Sequence, residues 1–145
     1  MDHYTRKNFT HTQSIGFLLA KARYLLASEI DIALRDLDIS VQQMGVIVTL
    51  YRGTATTPLE LCKTLGIDTG LMTRMLDKLE QKGLLERSRD AQDRRVVNLS
   101  LTKRGLEVAD AIPDIVPPVL NARLKSFTRA EFQELHRLIT KLIGE

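Results

Sequence analysis

The chain has 145 residues, 43% of them hydrophobic and 27% charged, which is the balance of a single globular domain. This composition argues against a disordered or collagen-like protein, and the only cysteine, Cys62, allows no intramolecular disulfide. No apolar run approaches the roughly 18 residues of a membrane helix and no signal peptide is apparent, so we expect a cytoplasmic protein without membrane contact. The net charge is +3, and the positive excess lies in residues 52–104, which hold 11 Lys and Arg against 7 Asp and Glu.

The first predicted element is a long helix over residues 13–37. Two apolar stripes run along it, so we expect it to be buried on more than one side. The stripes comprise Ile15, Leu18, Ala22 and Leu25, and Leu19, Leu26, Ile30, Ala33 and Leu37. A second helix is predicted over residues 40–51, because Ser40 and Gln43 form a capping-box pair at its start and Gly53 ends it.

Two further helices follow after a tight turn. The run Thr57-Pro58-Leu59-Glu60 predicts a capping box with proline at the first helical position, and it opens a short helix over residues 58–65. Gly66 suits a left-handed cap at the end of that helix. Asp68 then caps a helix predicted over residues 69–82.

The period of the apolar residues next changes from 3.6 to 2. Residues 84–89 and 96–101 are typical of two short strands. The residues between them, 90–95, are too polar to pack and are rich in charge. The pattern predicts a β-hairpin with a protruding basic tip, which Arg87 and Arg89 back with further positive charge.

The last two predicted elements are helices. Thr102 caps a helix that runs toward residue 124, and three prolines within residues 113–118 predict a kink or a break in it. Thr128 and Glu131 form a third capping box, which opens a final helix ending near residue 143.

These elements predict one mainly α-helical domain over residues 1–145 with a small β-wing. A winged helix-turn-helix lobe occupies about residues 40–103, and helices at about residues 11–38 and 104–145 flank it. The flanking helices carry more apolar surface than such a lobe can cover. A two-fold partner that uses the same helices would cover this surface, so we expect them to be dimerisation helices of a homodimer.

One face of the helix at 69–82 has the composition of a DNA-reading surface. Its apolar residues, expected in the core, are Met72, Met75, Leu76 and Leu79. The opposite face is small at its N-terminal end, as close entry into a major groove requires, and it carries hydroxyls and cations. The candidate DNA contacts on this face are Thr69, Gly70, Thr73, Arg74 and Lys78. The alternative is an ordinary solvated helix face.

The hairpin tip supplies a second group of candidate DNA contacts. Arg94 and Arg95 belong to it, because an arginine on a thin wing can enter the strongly negative minor groove. We also include Asp93, whose carboxylate can hold an arginine in one orientation through a bidentate pair. The alternative for Asp93 is a simple turn residue.

Three runs of residues also carry a family resemblance. They are Leu61-Cys62-Lys63-Thr64-Leu65-Gly66-Ile67, Leu71-Met72-Thr73-Arg74-Met75-Leu76-Asp77-Lys78-Leu79-Glu80-Gln81-Lys82-Gly83-Leu84, and Asp93-Arg94-Arg95 with Leu101-Thr102. With its flanking helices, the chain resembles the MarR family of bacterial transcription regulators over nearly its whole length. The resemblance implies an obligate homodimer that binds a pseudo-palindromic operator in double-stranded DNA, usually as a repressor. It also implies release from DNA by a small phenolic or anionic effector, or by oxidation.

The resemblance further places an effector pocket between the dimerisation helices and the DNA-binding lobe. The residues that would line it are Tyr24, Met44, Val48 and Arg74, although Tyr24 and Met44 also fit the pattern of core residues. Cys62 is a candidate redox switch. It stands, however, where helix-turn-helix units place a small residue at the helix crossing, and we interpret it as a packing residue.

The sequence contains no recognisable catalytic, metal or cofactor motif. The three histidines have no ligand spacing, and neither a nucleophile motif nor a phosphate loop appears. We therefore predict a DNA-binding regulator without a cofactor, and not an enzyme. The alternatives are a winged-helix protein-interaction module that binds no DNA and a redox-responsive regulator that acts through Cys62.

Overall fold

The computed structural model describes residues 1–145 as a mainly helical protein with one two-stranded sheet. Its elements follow the predicted order, which confirms the mainly α class and the small β-wing. They are α1 (Ile15–Ala33), α2 (Val41–Arg52), α3 (Pro58–Leu65), α4 (Thr69–Gln81), β1 (Leu85–Arg89), β2 (Val97–Leu101), α5 (Lys103–Arg123) and α6 (Arg129–Ile143). None of the helices is both long enough and apolar enough to cross a membrane.

The first helix is shorter than the sequence predicts. α1 ends at Ala33, and a 3-10 turn over Arg35–Leu37 follows it. The chain then reverses at Asp38, whose φ of 53° lies in the left-handed region. The carboxylate of Asp31 accepts a hydrogen bond from the Val41 N–H at 2.6 Å, which ties the end of α1 to the start of α2. The α-helix thus ends four residues before the apolar stripe does, and Leu37 belongs to the 3-10 turn.

Of the kink or break predicted at the prolines, the break is wrong. α5 continues as one helix through Pro113, Pro117 and Pro118, although each proline removes a backbone donor. All three prolines are exposed, whereas Ile112 and Val116 are buried on the side that packs against α1 and α2. Burial of this apolar side outweighs the lost hydrogen bonds, since tertiary packing supplies most of a helix's stability in proteins.

Side-chain caps start the helices as predicted, with one difference. Reciprocal capping boxes open α2 and α6, and Thr57, Asp68 and Thr102 cap the three helices between them. Glu60, however, does not close a box with Thr57. Its carboxylate accepts a hydrogen bond from the Thr56 N–H at 2.8 Å, one residue before the cap.

The core lies between α2, α3, α4, α5, the C-terminal end of α1 and the base of the wing. Its most deeply buried side chains are Leu34, Val46, Ile47, Leu61, Met72, Leu76, Leu79 and Leu85. β1 and β2 are antiparallel, with Leu85 opposite Leu101. The Thr56 carbonyl accepts a hydrogen bond from the Leu99 N–H at 2.8 Å, so the segment before α3 is joined directly to the wing.

The first half of α1 and all of α6 leave their apolar side chains largely exposed. α1 has one buried residue, Ile30, so its predicted burial on several sides is not met within one chain. α6 packs closely against no other element and has no buried residue. The exposed apolar residues of α6 are Phe132, Leu135, Leu138, Ile139, Leu142 and Ile143. A continuous apolar face of this kind is unusual on a soluble monomer.

A close backbone contact fixes the base of the wing to α5. A Cβ added at Gly105, in the first turn of α5, would stand 2.0 Å from the carbonyl oxygen of Leu84. The Thr102 hydroxyl donates to the Gly83 carbonyl at 2.6 Å, and the Thr102 N–H donates to the Leu84 carbonyl at 3.1 Å. The approach is so close that no side chain fits at residue 105.

We therefore expect Gly105→Ala to destabilise the fold by about 3 kcal/mol, because the backbone of the wing must move to admit the methyl group. Chemical denaturation followed by circular dichroism, at one fixed protein concentration, measures the effect. Gly45→Ala in α2 is the matched control, since its Cβ meets Leu65 at an ordinary 3.5 Å. The control should be neutral or more stable by up to about 1 kcal/mol. Equal stability of the two variants would contradict the assigned contact.

Candidate nucleic-acid interface

The predicted recognition helix, α4, divides into a buried and an exposed face. Met72, Met75, Leu76 and Leu79 are buried, as the sequence predicts. The five candidate contacts on the other face, Thr69, Gly70, Thr73, Arg74 and Lys78, are all exposed. α4 is therefore rotated so that its polar face points away from the core.

The N-terminal end of this exposed face is shaped by small residues. The Asp68 carboxylate accepts the Leu71 N–H at 2.9 Å and so caps the helix. A Cβ at Gly70 would stand 3.9 Å from an Arg74 guanidinium nitrogen, so Arg74 lies along the helix beside the glycine. The Thr73 hydroxyl donates to the Thr69 carbonyl at 2.8 Å, which leaves its lone pairs to accept from a ligand. Neither Arg74 nor Lys78 forms an ion pair within the chain.

Asp90 organises the tip of the wing, although the candidate residues predicted from the sequence do not include it. Its carboxylate accepts hydrogen bonds from the Gln92 N–H at 2.9 Å, the Asp93 N–H at 3.1 Å and the Asn98 side-chain amide at 3.1 Å. These bonds, led by the one from Asp93, hold the pKa of the Asp90 carboxyl below its ordinary value. An aspartate two and three residues before the amides it binds is a recognisable turn signal, and it could have been read from the sequence.

Asp93 and Arg95 form a bidentate ion pair at the tip. The carboxylate accepts Arg95 Nε at 3.0 Å and Nη2 at 3.1 Å, and it also accepts the Arg95 backbone N–H at 3.0 Å. The hydrogen bonds from Arg95 lower the pKa of Asp93, and the same pair raises the pKa of Arg95. Asp93 thus serves both as a turn residue and as the group that orients an arginine whose side chain is 91% exposed.

The remaining arginines of the wing have different surroundings. Arg94 is exposed and unpaired, and its carbonyl accepts Arg89 Nη1 at 3.3 Å. Arg87 does not back the basic tip as the sequence suggested, because its guanidinium is paired with Asp77 and Glu80 of α4. The pattern of alternating residues could not reveal this, since the carboxylates come from another element.

None of the four predicted effector-pocket residues lines either of two surface cavities in the chain. Tyr24 is 71% exposed on α1, Met44 and Val48 are half-buried at the edge of the core, and Arg74 lies on the open face of α4. The two cavities have volumes of about 640 and 560 Å³. The larger cavity is lined by residues of α5, the segment after it and α1: Glu29, Pro118, Val119, Ala122, Arg123, Lys125 and Ser126. The smaller cavity is lined by Asp31, Arg35, Asp38, Ile39, Ser40, Gln43, Lys78 and Lys82.

Cys62 is half-buried in α3 and packs against the core. Within the chain no group of three His, Cys, Asp or Glu residues has the arrangement of a metal site. The interpretation of Cys62 as a packing residue agrees with this environment.

Comparisons with known proteins agree with the geometry of α4 and the wing. Residues 39–97 match the MarR family. The multiple antibiotic resistance protein MarR of Escherichia coli is 35% identical over 111 residues, which are 76% of this chain and 77% of that protein. A crystal structure of a mutant E. coli MarR complexed with operator DNA has a TM-score of 0.83 at 30% identity, covering 90% of this chain and 94% of that one. The S. aureus MepR–DNA complex shares the fold, with a TM-score of 0.82 at 23% identity over 90% and 97% of the chains.

We expect Asp90→Ala to loosen the tip of the wing, because the Gln92 and Asp93 amides lose their acceptor. Their exchange with solvent, measured by NMR, should rise severalfold. Asp90→Asn is the control, since its amide oxygen still accepts the two bonds, and it should lie between Ala and wild type. In the wild type, the lowered pKa of Asp90 means that its ionised carboxylate stabilises the folded tip at neutral pH. This stabilisation is lost as the pH falls through the pKa of Asp90 in the folded protein. Unchanged exchange in Asp90→Ala would contradict the role of Asp90.

Proposed function

This chain belongs to the MarR family of DNA-binding transcription regulators, which are not enzymes, and we propose that it binds an inverted-repeat operator as a homodimer and represses transcription. The observation that carries the proposal is the exposed polar face of α4 next to a basic wing tip. The crystal structures of E. coli MarR and S. aureus MepR with DNA support the same use of the fold. No observation favours the alternative of an interaction module that binds no DNA.

In this proposal α4 reads the major groove. Gly70 lets the backbone approach the base edges, where the Thr69 hydroxyl accepts or donates and the Thr73 hydroxyl accepts. Arg74 binds guanine through its planar fork of donors, while Lys78, farther along the helix, binds a phosphate. The free charges of Arg74 and Lys78 support these roles, because neither is neutralised within the chain.

In this proposal the wing contacts the adjacent DNA backbone or the minor groove. Arg94 and Arg95 supply the charge, and Asp93 keeps the Arg95 guanidinium in one orientation before DNA arrives. An arginine held in this way loses less side-chain entropy on binding. The wing therefore adds affinity for any duplex, and α4 adds the preference for one sequence.

The exposed apolar faces support the homodimer. α6 finds no packing partner in its own chain, and the first half of α1 is similarly uncovered. A second copy that packs against the same helices buries both faces symmetrically. The two-fold axis then presents two α4 helices to two half-sites of DNA.

We propose a small phenolic or anionic effector as the signal that releases the DNA. The proposed lining, Tyr24, Met44, Val48 and Arg74, comes from both α1 and the DNA-binding lobe, so a ligand held between them would alter how the lobe is oriented. The exposure of Tyr24 fits a site that the partner subunit completes. Control by oxidation is not favoured, because Cys62 is packed against the core.

We expect Arg95→Ala to weaken binding to selected and random duplexes alike and to lower the log–log salt slope by about 1. Arg74→Ala should instead reduce the binding free energy by about 1–3 kcal/mol, and only for duplexes that contain the base pair that Arg74 contacts. Fluorescence anisotropy over a series of salt concentrations measures both effects. Arg129→Ala is the control, because Arg129 is exposed and unpaired at the start of α6. An Arg95→Ala protein that behaves like this control would remove the wing from DNA binding.

The proposed symmetry predicts the spacing of the operator. Two α4 helices that enter successive major grooves require half-sites about 10 base pairs apart, roughly 34–36 Å. Inserting five base pairs at the centre of a duplex selected by the wild-type protein turns one half-site to the opposite side of the DNA, so tight binding should be lost. A duplex with five base pairs added outside the two half-sites is the control for length, and it should bind as tightly as the original. Equal binding to the original duplex and the five-base-pair insertion would contradict the two-fold arrangement.

A further inference from the structure

One arginine of the wing reaches across to α4. Arg87 stands opposite Leu99 in the β1–β2 register and two residues after the buried Leu85. Its side chain therefore projects from the same face of the hairpin as Leu85 and Leu99, the face that packs against the lobe. Its Nη2 lies 2.8 Å from Asp77 Oδ1, and its Nη1 lies 2.9 Å from Glu80 Oε2. The two carboxylates are three residues apart on α4 and therefore share one face of that helix.

We propose that Arg87, Asp77 and Glu80 form a clamp that sets the angle between α4 and the wing, so that both can engage one duplex together. Arg87 is then a positioning residue and not a DNA contact. The inference rests on the proposed function, in which α4 and the wing tip bind the same DNA.

The packing of the hairpin shows why its outer part needs such a clamp. Leu85 at the base and Leu99 at mid-strand are the only buried residues of the two strands. Beyond Leu99 the hairpin has no fully buried side chain, and only the half-buried Val97 still packs against the core. Arg87 lies at this boundary, and its planar fork directs one nitrogen at each carboxylate in a fixed geometry, which a flexible lysine ammonium does not provide.

The charges of the clamp argue against a direct phosphate contact. Two carboxylates and one guanidinium leave a net charge of −1, which does not attract a phosphate. The three side chains are also partly exposed, and ion pairs in such positions add little to stability. The effect of the clamp should therefore appear in DNA binding and not in resistance to denaturation.

The test compares two variants with the same change in net charge. The combination Asp77→Asn, Glu80→Gln and Arg87→Gln removes the clamp and adds one positive unit. Glu86→Gln also adds one unit, on the opposite face of β1, where Glu86 has no ion pair. Binding is measured by anisotropy with two probes: a duplex selected from random sequence by the wild-type protein, and an unselected random duplex.

We expect the clamp variant to bind the selected duplex about tenfold more weakly than Glu86→Gln, while the two bind the random duplex alike, because α4 makes no base contacts there that fix its position and the wing can still reach the DNA on its own. Equal affinity of the two variants for the selected duplex would overturn the proposal. If the wild type showed no preference for any selected duplex, the proposed function would fail instead, so the two failures are distinguishable.

Two further variants separate positioning from charge and from misfolding. Arg87→Lys keeps the charge but lacks the rigid fork that fixes the angle, so it should lose part of the affinity for the selected duplex with no change in the denaturation midpoint. In an Arg95→Ala background, removing the clamp should cost much less than in the wild type, because the wing contact that it positions is already gone. Fully additive losses would show that the clamp does not act through the wing, and would contradict the inference.

Discussion

The packing of one face of α4 into the core determines where the other face points. The buried side chains of α4 are Met72, Met75, Leu76 and Leu79. Each contributes about 2 kcal/mol by burial, so a rotation of the helix that exposed them would be strongly unfavourable. The exposed face, with Thr73 and Arg74, is therefore held outward before any DNA is bound. Its direction follows from apolar packing, and its chemistry from the polar residues between the core positions.

Three kinds of contact hold the wing in shape and in place, one at each of three levels. At the base, Gly105 and Thr102 hold the Leu84 and Gly83 carbonyls against the start of α5. In the middle, the Arg87 guanidinium joins β1 to α4. At the tip, Asp90 folds the turn through backbone hydrogen bonds. Apolar packing decreases toward the tip, and polar contacts replace it.

The features that the sequence predicts well depend on local interactions. A cap such as Thr128 and the left-handed Gly66 act within a few residues of themselves, so they can be read from a single run of sequence. The predicted break at the prolines failed because the packing of α5 against distant helices compensates for the missing donors. Arg87 was misassigned for the same reason, since its partners Asp77 and Glu80 belong to another element.

The effector site is the part that one chain is least able to define. Its proposed residues lie on α1 and on the lobe, and α1 is also a helix whose apolar face is uncovered within one chain. In the proposed homodimer, the partner subunit supplies part of any pocket there. Local sequence patterns do not contain this information, because it depends on how two copies pack.

The central claim is that DNA meets the protein through the exposed face of α4 and the wing tip together. Hydrogen exchange with mass spectrometry, with and without a duplex selected by the wild-type protein, tests it directly. The account predicts that bound DNA slows exchange in the N-terminal half of α4 and in residues 90–95, with little change in α6. Protection of α6 or α1 without protection of these two segments would contradict it.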